Sequence, residues 1–163
     1  MGTKGKEIVG VDLKELLTLL NKAFADEWLA YYQYWVGSKV AVGRMRGIVA
    51  KELVEHAGEE LGHAEKLAER IIQLGGTPLI HPKQWEKESN CGYDTPDNPN
   101  TKKLLEQNIK GEQCAIEVYR KILKKVEGKD VITAHLVLEI LEDEVGHEDE
   151  LEAILEDMKT KVE

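Results

Sequence analysis

Four stretches of this chain carry apolar residues at alternating steps of three and four, the period of a helix that hides one face. The first reads Leu13, Leu17, Leu20, Phe24, Glu27, Tyr31 and Tyr34, and the second Val49, Leu53, His56, Glu60, His63, Leu67, Ile71 and Leu74. The third runs Leu105, Ile109, Glu112, Ile116, Tyr119, Leu123 and Val126, and the fourth Val137, Ile140, Glu144, His147, Leu151, Ile154 and Met158. Local punctuation predicts helices at about 11–42, 46–74, 100–127 and 130–160. Asp12 and Asp130 stand at N-cap positions, Gly43 interrupts the pattern, and Gly75-Gly76-Thr77-Pro78 closes the second run. Pro99 and Thr101 mark the start of the third helix, and Gly128-Lys129 makes a short turn to the fourth. Two connections are short, but the one at about 75–99 is long enough to run the length of a bundle. The expectation is a single all-α domain over 1–163: a four-helix bundle with one long crossover.

Besides His56, six Glu and His residues interrupt the apolar seams: Glu27, Glu60, His63, Glu112, Glu144 and His147. Each stands where the helical period calls for an apolar side chain, which separates it from the other acids of a chain that is 33% charged. The six also form a repeat. Glu27 precedes Glu60 and His63 by 33 and 36 residues, and Glu112 precedes Glu144 and His147 by 32 and 35. The local words match, Glu60-Leu61-Gly62-His63 against Glu144-Val145-Gly146-His147. A residue and its i+3 neighbour share a helix face, so each Glu-x-x-His offers a carboxylate and an imidazole to one point in the bundle. Four carboxylates buried together repel one another and lose their hydration, so positive charge must sit among them. Buried ion pairs would need arginine or lysine on the same seams, and the seam positions between Glu27 and His147 hold none. Two divalent cations balance four carboxylates, and a mixed imidazole and carboxylate set suits iron or manganese. All six residues are therefore candidate metal ligands and candidate catalytic groups.

Length and composition narrow the setting. At 163 residues the chain makes one domain with a proper core, without an 18-residue apolar run or a signal-peptide pattern, so a soluble cytoplasmic protein without membrane contact is expected. A formal charge of −9 argues against nucleic acid as the main partner, and Lys4 and Lys6 make only a weak basic arm.

From about Leu13 to Leu155 the sequence resembles bacterioferritin and its ferritin-superfamily relatives, above all in Glu27-Trp28-Leu29-Ala30-Tyr31-Tyr32-Gln33-Tyr34, in Glu60 to Pro78 and in Glu144-Val145-Gly146-His147. The resemblance implies a ferritin-like bundle in which Glu60 and Glu144 bridge two irons. Glu27 and His63 would complete one iron, Glu112 and His147 the other. Leu61 stands where haem-binding bacterioferritins carry an axial Met, so no haem is expected. Only 16 residues follow His147, too few for the fifth helix of larger ferritins. Cys91 in the crossover and Cys114 two residues beyond Glu112, with a short helix expected at about 84–89, resemble the Dps-like (DPSL) subgroup called thioferritin. That resemblance implies a dodecameric cage of identical subunits, a site within one subunit, and a redox role for the cysteine pair. The two cysteines either close a loop of about 23 residues, stabilising by about 3 kcal/mol, or remain two buried thiols. The abundance of Lys and Glu with few Asn and Gln leans toward a hyperthermophile, where intracellular disulfides persist.

Secondary candidates are Tyr34, either a redox partner of the diiron site or core packing, and His56, either a group orienting a ligand or a satisfied core histidine. His81 and His135 fall off the seams and are expected to face solvent, and Gly62 and Gly146 are expected to allow close helix contact beside the ligand histidines. The function expected is a ferroxidase and iron store: two Fe(II) surrender two electrons together to hydrogen peroxide or dioxygen, and the Fe(III) is sequestered in a cage. A dimanganese catalase or diiron peroxidase keeps the site and changes the reaction. A DNA-protecting scaffold with a structural metal cluster is the alternative from another class.

Overall fold

The structure, a computed structural model, describes residues 2–160, so the extreme ends of the expected 1–163 domain lie outside the described residues. A short α1 (Thr3–Glu7) precedes four long helices, α2 (Leu13–Val40), α3 (Arg46–Gln73), α5 (Thr101–Val126) and α6 (Val131–Asp157), with the short α4 (Lys83–Glu88) inside the crossover. Among the described residues there is no strand, only an isolated parallel bridge between Val42 and Asn100. The last helix stops at Asp157, three residues short of the expected 160, as the chain turns over Lys159 and Thr160.

The caps act as the residue types dictate. Asp12 accepts from the Glu15 amide, Asn100 from Lys102 and Asp130 from Thr133, each satisfying a helix N–H that has no partner in its own helix. The α2–α3 turn needs positive φ at both Gly43 (110°) and Met45 (57°), and Gly128 (69°) makes the α5–α6 turn. That second turn is tied to α3 by Arg70, which forks onto Asp130 at 2.9 and 3.0 Å and reaches Thr133 at 2.8 Å. Burial alone would raise the Asp130 carboxyl, but bonds from Thr133 and Arg70 hold it below the ordinary range.

The crossover is laid along α2 by three polar side chains. Asn21 bonds Thr77 and Leu79, Asp26 accepts from the Asn90 and Cys91 amides, and Gln33 accepts from the Asp94 amide. Trp85 of α4 stacks on Trp28 of α2 with centroids 4.9 Å apart. At its far end the crossover pairs with the α2–α3 turn through Val42 and Thr101.

The core is two apolar clusters with a polar layer between them. One holds Leu16, Leu20, Phe24, Leu67, Ile71, Tyr119, Ile122, Val137 and Ile140. The other holds Tyr34, Val49, Leu53, Leu104, Leu105, Ile109 and Leu151. Along each long helix the seam passes from one cluster to the other through a charged residue: Glu27, Glu60 with His63, Glu112, or Glu144 with His147.

Candidate metal centre

All six seam residues are buried, none more than 3% exposed. Their polar atoms converge on two poles. At one, His63 Nδ1 lies 3.5 Å from Glu27 Oε2, 3.3 Å from Glu60 Oε2 and 3.3 Å from Glu144 Oε1. At the other, His147 Nδ1 lies 3.5 Å from Glu60 Oε1, 3.8 Å from Glu112 Oε2 and 3.3 Å from Glu144 Oε2. Glu60 and Glu144 thus each give one oxygen to each pole, while Glu27 and Glu112 each serve one. Around an ion with bonds of roughly 2.1 Å, neighbouring ligand atoms sit about 3 to 3.5 Å apart, and five of the six spacings here fall in that range, the one to Glu112 lying beyond it.

The outer ends of these side chains are held crosswise. Tyr34 donates to Glu112 Oε1, and Tyr119 donates to Glu27 Oε1. His63 Nε2 lies 3.1 Å from Asp143 Oδ2, and His147 Nε2 lies 2.6 Å from Glu59 Oε2. A carboxylate on Nε2 holds the proton there and turns Nδ1 inward, the arrangement that orients an imidazole toward a metal. Both oxygens of Glu144, Glu27 Oε2 and His147 Nδ1 are buried without a hydrogen-bond partner. Buried polar atoms are rarely left so, and here they all face the same two points. Two groups of four, Glu27-Glu60-His63-Glu144 and Glu60-Glu112-Glu144-His147, each bring their ligand atoms within 4.8 Å of one another.

The electrostatics are those of buried carboxylates and imidazoles crowded into one layer. Burial, then repulsion by the Glu144 and Glu60 carboxylates, pushes Glu27 well above the usual range. Burial does the same to Glu112 against the pull of His147. Glu60 would also rise on burial, but the two imidazoles outweigh it and hold it below the ordinary value. Burial would lower both imidazoles, yet the carboxylates around them, led by Glu144 for His63 and Glu112 for His147, drive both far above the usual histidine range. Tyr34 and Tyr119 are raised by burial and by the carboxylates they face, so each keeps its proton and donates it.

A cavity of about 150 Å³ between α2 and α5 reaches this layer, touching Glu27, Tyr34, Glu60, Glu112 and Glu144. Its outer wall includes Cys91 and Cys114, which are joined in a disulfide with Cα atoms 5.9 Å apart.

Residues 17–161 match the ferritin-like domain family. This chain belongs to that family. Among curated relatives, the ferritin-like chain is 36% identical over 152 residues to the DNA protection during starvation protein of Pyrococcus furiosus, covering 91% of this chain and 81% of that protein. It is 30% identical to the bacterioferritin of Rhodobacter capsulatus, over 85% and 81% of the two chains. Among solved structures, a dodecameric thioferritin, the bacterioferritin-related protein of Bacteroides fragilis, superposes with a TM-score of 0.95 at 42% identity, over 97% and 95% of the two chains.

Within this ferritin-like bundle the remaining candidates find distinct places. Tyr34 touches the layer directly, and His56 stacks on His147 with centroids 4.1 Å apart. Cys91 and Cys114 are bonded to each other and not to the layer. His81 and His135 are exposed. The expectation for Gly62 and Gly146 is corrected: a Cβ built at either meets nothing within 4 Å, so neither permits a close helix approach in this chain. They lie beside His63 and His147 in sequence but turn about 100° away from them around the helix. Tyr119, Glu59 and Asp143 had not been singled out. Tyr119 follows Glu112 by seven residues as Tyr34 follows Glu27, and Glu59 and Asp143 each immediately precede a glutamate shared by the two poles, so the internal repeat was the signal that could have found all three.

Proposed function

We propose that this chain is the subunit of a ferritin-like cage that binds two Fe(II) within one bundle and oxidises them with hydrogen peroxide or dioxygen. The observation that carries the reading is the sharing of Glu60 and Glu144 between the two poles, one oxygen of each carboxylate to each imidazole. The residues fit the metal: hard carboxylate oxygens and two neutral-capable imidazoles suit iron or manganese, and the orphaned oxygens of Glu144 lie where cations would satisfy them. With peroxide the reaction balances as two Fe(II), one H₂O₂ and two protons giving two Fe(III) and two waters, so the oxidant receives both electrons at once and no hydroxyl radical leaves.

The chain's own residues do the positioning. Tyr34 and Tyr119 pin one oxygen of Glu112 and of Glu27, leaving the other free for a cation. Asp143 and Glu59 fix the tautomers of His63 and His147. Binding displaces the imidazolium protons, so uptake of Fe(II) releases acid. The cavity between α2 and α5 is large enough to admit a peroxide-sized molecule to the layer. By analogy with the thioferritin it matches, the chain assembles as a dodecamer, in which the Fe(III) produced is stored.

The test is to load metal-free protein anaerobically with Fe(II), add peroxide or oxygen separately, and follow ferric absorbance, oxygen release and particle size. Rapid oxidation of two irons per subunit, lost in Glu60→Ala, is expected. Sustained oxygen release without a mineral would instead indicate a catalase, and oxidation unchanged in Glu60→Ala would overturn the site.

A further inference from the structure

The two ends of the α2–α5 seam are built from different chemistry. Gln33 stands six residues beyond Glu27, where Val118 stands beyond Glu112, and Asn108 stands four before Glu112, where the fully buried Ala23 stands before Glu27. Ala23 and Val118 pack in the same apolar cluster as Tyr119. The Tyr34 end carries two carboxamides instead, both withdrawn from solvent, Gln33 8% and Asn108 2% exposed.

The pair is fixed in orientation. Gln33 Nε2 donates to Asn108 Oδ1 at 2.9 Å, the Asp94 amide donates to Gln33 Oε1 at 3.0 Å, and Asn108 Nδ2 donates to the Leu104 carbonyl at 2.9 Å. Backbone groups at both ends thus decide which way each carboxamide faces. A carboxamide has two N–H donors and an oxygen with two lone pairs, so beyond these bonds each side chain keeps one donor and one acceptor position. Buried polar groups rarely keep such capacity unless something satisfies it. Here both side chains line the cavity of about 150 Å³ whose inner end is formed by Tyr34, Glu60 and Glu112.

We propose that Gln33 and Asn108 select the oxidant, holding hydrogen peroxide beside the layer and disfavouring dioxygen. Hydrogen peroxide donates and accepts at both oxygens, so it replaces water on the two carboxamides bond for bond. Dioxygen has no proton to give. Its entry strips the carboxamides of water and leaves them unpaired, which is how a site built on hydrogen bonds rejects a molecule that lacks them. The effect on iron oxidation rests on the proposed function above, whereas the holding of peroxide does not.

The test compares the assembled parent with the double variant Gln33→Met, Asn108→Leu, which removes both partners together and keeps much of their bulk. Crystals of the metal-free parent soaked in hydrogen peroxide are expected to show two-oxygen density within hydrogen-bond distance of both carboxamides, and crystals of the variant none. Water alone in the parent, or peroxide retained in the variant, would overturn the site. In solution, with Fe(II) bound, the ratio of the oxidation rate with peroxide to that with dioxygen is expected to fall about tenfold in the variant, the scale of one or two neutral hydrogen bonds. A merely structural role would move both rates together, so an unchanged ratio would overturn the selection. Gln33→Met alone is read through the same ratio if the double variant does not assemble. A parent that fails to oxidise Fe(II), or oxidises it equally well as Glu60→Ala, would sink the two-ion reading, and the metal-free soak would still decide the peroxide site by itself.

Discussion

The α2–α3 half and the α5–α6 half use one plan, and each completes the other. Glu27, Glu60 and His63 are echoed by Glu112, Glu144 and His147, and the echo extends to Tyr34 and Tyr119, and to Glu59 and Asp143. Yet no supporting contact stays within its own half: Tyr34 serves Glu112, Tyr119 serves Glu27, Asp143 serves His63 and Glu59 serves His147. The difference between the halves is as informative. His56 answers to Ile140, and Cys114, bonded to the crossover, answers to Leu29. Matched positions surround the two poles, and the unmatched ones give the two halves different neighbours.

The strongest way to break the symmetry is to remove ligands of different rank. Glu144→Ala is expected to lose both ions and to lower oxidation by more than about 100-fold, because its carboxylate serves both poles. Glu112→Ala should lose only the ion at the His147 pole, and metal analysis of the two variants would show two ions lost against one. If both lose the same number, the division into shared and single carboxylates is wrong.

The disulfide belongs to one half only and should act on stability, not on metal number. It closes a separation of 23 residues, so Cys114→Ser should destabilise by about 3 kcal/mol in denaturant melts of metal-free protein. Leu29→Ser, at the matching position, has no crossover to release. A reductant that lowers the parent to the variant's midpoint, and leaves the variant unmoved, would assign the loss to the bond itself.

The tyrosines sharpen the comparison further. Tyr34→Phe and Tyr119→Phe each leave a buried carboxylate oxygen without its donor, a cost of about 1 to 3 kcal/mol to the metal-free fold. Equal effects on the oxidation rate would make both tyrosines positioning residues. A rate loss confined to Tyr34→Phe, with a tyrosyl radical signal lost in spin resonance, would make Tyr34 an electron donor.

The pH dependence follows from the same layer. Glu27, Glu112, His63 and His147 all bind protons more tightly folded than unfolded. Their stabilisation is present below the unfolded values, about 4.3 for Glu and about 6.5 for His, and is lost as pH rises above each. Glu60, held low, is ionised throughout that range and adds no slope. The melting temperature of the metal-free protein should therefore fall between about pH 5 and 8, while metal affinity rises, since metal and proton compete for the same atoms. A flat metal-free profile would contradict the buried protonated layer. The smallest effect is expected at Gly62→Ala and Gly146→Ala, each gaining up to about 1 kcal/mol of subunit stability by the same amount in the two halves.

Much of the layer was legible because a charged residue on an apolar seam stands out against its neighbours. Tyr119 did not, since a tyrosine on a seam looks like packing until its hydroxyl is seen against Glu27. Glu59 and Asp143 looked like ordinary surface acids, being half outside the bundle and only one residue from the seam. Gly62 and Gly146 misled for a related reason: small residues beside a buried histidine suggest crowding, but their position on the helix points them away from it.

What the sequence determined by itself is whatever one helix displays alone: the extent of the four long helices, the face each buries, and the six residues that interrupt those faces. Such features follow from a period of 3.6 residues and need no partner to be read. What only the tertiary structure decided is which partners meet. The hydrogen bonds across the layer join residues 78 to 92 positions apart, and the one from His56 to Glu150 spans 94. Those pairings depend on how far each helix is rotated and slid against its neighbours, which side-chain packing sets over the whole core and no local pattern encodes.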